Sequence, residues 1–132
     1  MKIRQNVIHQ LVEHARDESP IEACGYLAER DGVITDLFRL KNVDASPEHF
    51  SFDPAEQFAT LRQVRAKGLR MRAVYHSHPA SPARPSAEDI RLANDPALIY
   101  VIISLASREP DVKAYAIRGG EVAAEVVEVV KD

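Results

Sequence analysis

Residues 98–105 read Leu-Ile-Tyr-Val-Ile-Ile-Ser-Leu, and this run decides the fold. Side chains alternate across a strand, so a run that is apolar at odd and even positions alike buries both faces. That is expected of a strand inside a sheet covered by helices on each side. Before it, Met71 to His78 alternates in a strand-like way. Pro79, Pro82 and Pro85 then force a loop, and Ser86-Ala87-Glu88-Asp89 opens a helix through about Asn94. After it, the runs Asp111 to Arg118 and Glu121 to Val130 flank Gly119-Gly120, which predicts a closing hairpin.

The N-terminal half supplies the remaining layers. Ile3, Val7, Leu11 and Ala15, with Ile8 and Val12 beside them, repeat every three to four residues and predict a helix ending before Ser19-Pro20. Ala23 to Arg30 and Val33 to Leu40 are β-like and separated by Asp31-Gly32, a dipeptide suited to a tight hairpin because both central residues need positive φ. Phe50-Ser51-Phe52 reads as a short strand. Asp53-Pro54-Ala55-Glu56 then gives a helix start: an N-cap, a proline at the first position and a glutamate at the third. Phe58, Leu61 and Val64 mark the buried side of that helix until Gly68 stops it. The order of elements predicts an α/β fold, a mixed β-sheet flanked by helices.

Composition bounds the rest. The 132 residues, 45% apolar, suit one domain over 1–132 with one continuous core. Seventeen basic against 20 acidic residues leave a net charge of -3, so no basic face dominates and no nucleic-acid partner is expected. The longest apolar run is far too short to cross a bilayer, so no membrane partner is expected. The first residues continue into the amphipathic pattern without an apolar signal core, and Cys24 is the only cysteine. A cytoplasmic protein without a disulfide is the expectation.

The chemistry concentrates in residues 76–89. His76 and His78 are two apart on a strand, so their imidazoles project to one face and can converge on one ion. The ten residues between His78 and Asp89 are enough to bring a carboxylate back over the same strand end. Two imidazoles and one carboxylate leave a fourth position open, the arrangement of a catalytic zinc site and not of a structural one. Neutral imidazole favours Zn2+ over magnesium or calcium, although iron, cobalt or nickel suit the same donors.

Each feature has a plainer explanation. His-x-His alone is as readily a pair of packing residues, and Ser86-x-x-Asp89 is a capping box whether or not a metal exists. Glu22, after Pro20 at a strand entrance, reads on spacing alone as a solvated acid. Cys24 reads as a small buried residue with no basic neighbour to make a thiolate. His9, His14 and His49 read as helix-surface or loop residues. The metal reading gains because the donors share one fourteen-residue segment at the end of an inner strand.

Taken together, Pro20-Ile21-Glu22-Ala23-Cys24-Gly25-Tyr26-Leu27, then His76-Ser77-His78-Pro79, then Ser86-Ala87-Glu88-Asp89 resemble the JAMM motif of the MPN/Mov34/PAD-1 zinc metalloproteases, across nearly the whole chain. The resemblance implies an α/β/α sandwich similar to cytidine deaminases. It also implies that His76, His78 and Asp89 bind zinc, that Glu22 takes a proton from the attacking water, and that Ser86 hydrogen-bonds the tetrahedral oxyanion. The chain looks like the compact bacterial members of the CysO-cysteine peptidase type, without the insertions that hold ubiquitin. A peptidase or isopeptidase acting at the C-terminal Gly-Gly of a ubiquitin-like or sulfur-carrier protein is therefore expected, with a homodimer left open. The alternatives are a catalytically inactive MPN scaffold or binding module, and a zinc hydrolase of small amide conjugates.

Overall fold

In the computed structural model, which describes residues 1–132, the chain begins with β1 (Lys2–Arg4), α1 (Gln5–Glu18), β2 (Cys24–Arg30), β3 (Val33–Leu40) and α2 (Pro54–Ala66). It continues through β4 (Arg70–His78), α3 (Ala87–Leu92), β5 (Ile99–Ser104), β6 (Asp111–Arg118), β7 (Glu121–Glu125) and β8 (Glu128–Val130). The eight strands form one mixed sheet in the order β7-β6-β5-β4-β2-β3-β1-β8. The β2–β3 hairpin turns at Asp31 and Gly32, with φ of 52° and 82°, as the dipeptide predicts.

β5 is an inner strand, parallel to β4 and antiparallel to β6. Its two apolar faces serve two cores. Ile99, Val101 and Ile103 pack with Val7, Leu11 and Ala15 of α1, while Ile102 faces the other way, with Ala83, Tyr115 and Ile90 of α3. β4 alternates in step: Ala73 and Tyr75 belong to the α1 side, Val74 to the side where Tyr26 and Phe52 pack. Pleat alternation carries His76 and His78 to the Val74 side. No helix is long and apolar enough to cross a membrane.

The structure corrects several local expectations. Ile3 belongs not to the first helix but to β1, where pairing with β3 and β8 on either side makes a strand of three residues. The run Glu121–Val130 is not one hairpin arm: β7 pairs with β6, and β8 leaves to pair with β1 at the opposite margin. Two residues, Val126 and Val127, join those margins, and three Cα steps span at most about 11 Å. The sheet is therefore strongly curled.

Phe50–Phe52 is irregular, not a strand; what holds it is Ser51, whose carbonyl accepts from Val43 N at 3.1 Å. On α2 the buried stripe is Thr60 and Val64, while Phe58 and Leu61 are 62% and 42% exposed. Gln57 sets this rotation by donating to the Tyr26 hydroxyl at 2.6 Å, so positions 57, 60 and 64 face the sheet. His14 is buried as well, sharing a 2.7 Å hydrogen bond with the Tyr75 hydroxyl, and burial lowers its pKa to about 4.

Gly25 is where the first motif segment meets the core. A Cβ there would stand 2.6 Å from the Tyr75 hydroxyl and closer still to the Phe38 carbonyl oxygen. Backbone cannot yield as a flexible side chain can, so Gly25→Ala is expected to cost about 3 kcal/mol and lower Tm by about 10 °C. Thermal unfolding followed by circular dichroism checks this; an unchanged Tm would mean that the strand pair opens freely.

Candidate active site

Three donor atoms meet at the C-terminal end of β4. His76 Nε2 and His78 Nε2 lie 3.0 Å apart, and each is 3.1 Å from Asp89 Oδ2. Both histidines are buried, at 4% and 5% exposure. His78 is oriented from behind, its Nδ1 lying 2.8 Å from the Pro82 carbonyl oxygen. A carbonyl only accepts, so Nδ1 carries the proton and Nε2 turns its lone pair inward. The second proline of the loop thus fixes the tautomer of a donor. His76 is held differently, its ring stacked on Phe50 with centroids 4.8 Å apart and planes 26° from parallel.

Asp89 reaches the histidines from the first turn of α3, and the capping box expected from sequence is present in full. Ser86 Oγ accepts from Asp89 N at 3.0 Å, and Ser86 N donates to Asp89 Oδ2 at 2.9 Å. One oxygen serves both neighbours: Oδ2 caps the helix and faces both imidazoles. Because Ser86 Oγ acts in the cap as an acceptor, its own O–H proton stays free to donate.

Charge follows geometry. Burial would raise the Asp89 pKa, but bonds to His76 and His78 outweigh it and hold the carboxyl well below the usual range. Burial favours a neutral His78 ring, but Asp89 and the Pro82 carbonyl outweigh it and raise its pKa. These lone pairs bind either protons or a cation.

The donor set fits a small divalent metal ion. His76, His78 and Asp89 offer one atom each within a single small group. Their 3.0–3.1 Å separations lie near the edge of about 3.3 Å of a tetrahedron with metal–ligand bonds of about 2.0–2.1 Å. Two imidazoles with one carboxylate suit zinc-like metals, and a three-donor cluster leaves one corner for solvent or substrate.

Glu22 stands outside this group but beside it. It is 3% exposed, not the solvated acid that its spacing suggests. Its Oε1 has no hydrogen-bond partner, the sole such buried side-chain oxygen or nitrogen in the protein. Burial is the main cause that pushes its pKa up to about 8, against the lowering influence of His78. Cys24 is buried and its thiol is pushed up to about 12, first by burial, so it is not a thiolate. His9 and His49 lie away from the cluster; His49 Nδ1 is 3.0 Å from Asp44.

A cleft of about 320 Å³ opens beside His76 and Asp89, with Val74, Leu98 and Tyr100 among its floor residues and Phe50 on one wall. Glu88, Asp89 and Asp95 line it, and no lysine or arginine does. The residues that sequence reasoning missed are Phe50, stacked on His76, and Asn42, whose buried side chain bonds to the Glu22 carbonyl at 3.1 Å. Their only local signal is position: both lie in the long connection between β3 and α2.

Comparison with known proteins gives the family of the chain. The profile of prokaryotic homologs of the JAB domain matches residues 4–118. The CysO-cysteine peptidase of Mycobacterium tuberculosis is 34% identical, with 98% of this chain and 90% of that protein covered. The desampylase of Haloferax volcanii is 34% identical over 76% of this chain and 75% of its own length. The solution structure of protein DSY2949 from Desulfitobacterium hafniense superposes with a TM-score of 0.91 at 43% identity, covering 99% of this chain and 93% of that one. The mixed sheet and the flanking helices thus have one source: this chain belongs to the prokaryotic homologs of the JAB domain.

Proposed function

We propose that this chain is a zinc-dependent peptidase or isopeptidase that hydrolyses the amide bond after the C-terminal Gly-Gly of a ubiquitin-like or sulfur-carrier protein. The observation that carries this reading is the convergence of His76, His78 and Asp89 beside a buried Glu22 with an unpaired carboxylate oxygen. Relatives named as a CysO-cysteine peptidase and a desampylase support the substrate class.

His76 and His78 through Nε2, and Asp89 through Oδ2, would hold the zinc. When bound, the ion would supply Lewis acidity for the scissile carbonyl and for water near neutral pH. Glu22 does the proton work. Buried beside the donor cluster, its carboxylate is placed to take a proton from the attacking water and pass it to the leaving amine, and a bound cation would favour the ionised form that accepts that proton. The Ser86 hydroxyl, free to donate, stabilises the oxyanion that develops on the carbonyl oxygen. Pro82 keeps His78 in the tautomer with Nε2 free, and the apolar cleft floor excludes water from the flanking chain. Glycines on the acyl side have no Cβ, so their backbone can approach a buried donor cluster closely.

The test is mass spectrometry of zinc-loaded protein incubated with sulfur-carrier fusions extended beyond Gly-Gly. Loss of the extension, leaving a carrier that ends in Gly-Gly, is expected. Inertness towards all such fusions, with turnover of small amides, would overturn the substrate.

A further inference from the structure

Asn42 is the second residue past β3 and is 8% exposed, yet every polar position of its side-chain amide is used. Nδ2 donates to the Glu22 carbonyl at 3.1 Å and to the His49 carbonyl at 3.0 Å, with a longer contact of 3.5 Å to Ser46 O. Oδ1 accepts from Asp44 N at 3.1 Å and from Ser51 N at 3.3 Å. All partners of the nitrogen are carbonyls and all partners of the oxygen are N–H groups, so the amide has one orientation. The donor half grips the segment that carries Glu22. The acceptor half grips the residue after Phe50, whose ring stacks on His76. A further bond, Glu22 N to Ser46 O at 2.9 Å, closes the same loop on the same segment.

We propose that Asn42 is a positioning residue with two effects: its amide nitrogen sets Glu22 through the Glu22 carbonyl, and nitrogen and oxygen together seat Phe50 against His76 through the His49 carbonyl and Ser51 N. The proposal rests on the reading of Glu22 as the proton carrier. Glu22 needs such support because its Oε1 has no hydrogen-bond partner, so where it stands depends on its backbone and on the packing around it. His76 needs it because stacking is the orientation its ring receives from the loop, where His78 has the Pro82 carbonyl. An aromatic pair of this kind contributes about 0.5–1.5 kcal/mol, enough to restrict a ring but only while the partner is held.

Asn42→Asp removes the donor half alone. The carboxylate still accepts from Asp44 N and Ser51 N, but turns an oxygen towards the Glu22 and His49 carbonyls. Turnover is measured on a peptide ending in Gly-Gly-aminomethylcoumarin, and zinc affinity by competition titration of the metal-free protein. Asn42→Asp is expected to lower kcat by about 30–100-fold, as a displacement of about 1 Å does, with KM within about threefold of the parent and zinc weakened less than in Asn42→Ala, because Ser51 N is still held. In a Glu22→Gln background the same change should add less than about threefold, because its effect passes through Glu22. Asn42→Ala and Phe50→Leu should each weaken zinc by about tenfold, the size usual for supports of a ligand. A kcat within threefold of the parent for Asn42→Asp, or an equal loss with and without Glu22, overturns the first effect. Unchanged zinc affinity in both Asn42→Ala and Phe50→Leu overturns the second. Full turnover by Glu22→Gln alone would sink the proton-carrier reading and the first effect with it, while the zinc titrations would still decide the second.

Discussion

Glu22→Gln is expected to bind zinc as the parent does and to lose about a thousandfold in kcat, within the range for removal of a positioned acid–base group. A stability effect of opposite sign should accompany it. In the metal-free protein the Glu22 pKa is about 8, against 4.5 for an unburied glutamate. Between those values the unfolded chain has released its proton while the folded chain retains it. Stability contributed by the neutral carboxyl is therefore present in full below pH 4.5 and is lost as pH rises through 8. At about 1.4 kcal/mol per pH unit, the loss sums to about 5 kcal/mol. Glutamine carries no such charge, so metal-free Glu22→Gln should lack this loss, keep only the pH dependence that the histidines give both proteins, and be more stable than the parent at pH 8. Urea denaturation at pH 5 and pH 8 reads this directly; parallel slopes for the two proteins would mean that Glu22 is ionised and solvated. Zinc should flatten the parent's slope, because a nearby cation favours the carboxylate.

Removing a donor should have the contrary signature. His76→Ala leaves one imidazole and one carboxylate, and the loss of one of three ligands should weaken zinc by at least about a thousandfold, or about 4 kcal/mol. Elemental analysis after dialysis is the measurement, and zinc at one equivalent per chain in His76→Ala would end the ligand assignment. Asp89→Asn makes a sharper companion. Its amide oxygen can still accept from Ser86 N, so the cap on α3 survives while the anionic ligand is lost. Far-UV circular dichroism should be unchanged as zinc is lost. If the helix signal falls with the metal, the cap and the ligand cannot be separated.

What was legible in the sequence was what local chemistry determines. Asp31-Gly32 required a two-residue turn, Ser86 with Asp89 required a cap, and a run apolar at every position from Leu98 to Ile103 except Tyr100 required cover on both faces; each is found. His76 and His78 were placed together by strand alternation alone. The failures concern partners distant in sequence. Nothing local makes Lys2–Arg4 a strand, because its pairing partners lie at residues 33–34 and 128–130. Phe58 and Leu61 fit a buried helical stripe as well as Thr60 and Val64 do, and the bond from Gln57 to Tyr26 decides the rotation. Glu22 reads as a solvated acid from spacing because its burial comes from β4 and the 42–51 loop, which fold over it through Ala23, Ser46 and Asn42.

The curled sheet dictates an order of events during synthesis. β8 lies against β1, with the α-amino group of Met1 donating to the Val126 carbonyl at 2.8 Å across 125 residues. As the chain leaves the ribosome, β2, β4 and α3 are all available before that seam can form. The segments carrying Glu22, His76, His78 and Asp89 can therefore assemble on a nascent chain whose first strand has one neighbour, with the seam closing last.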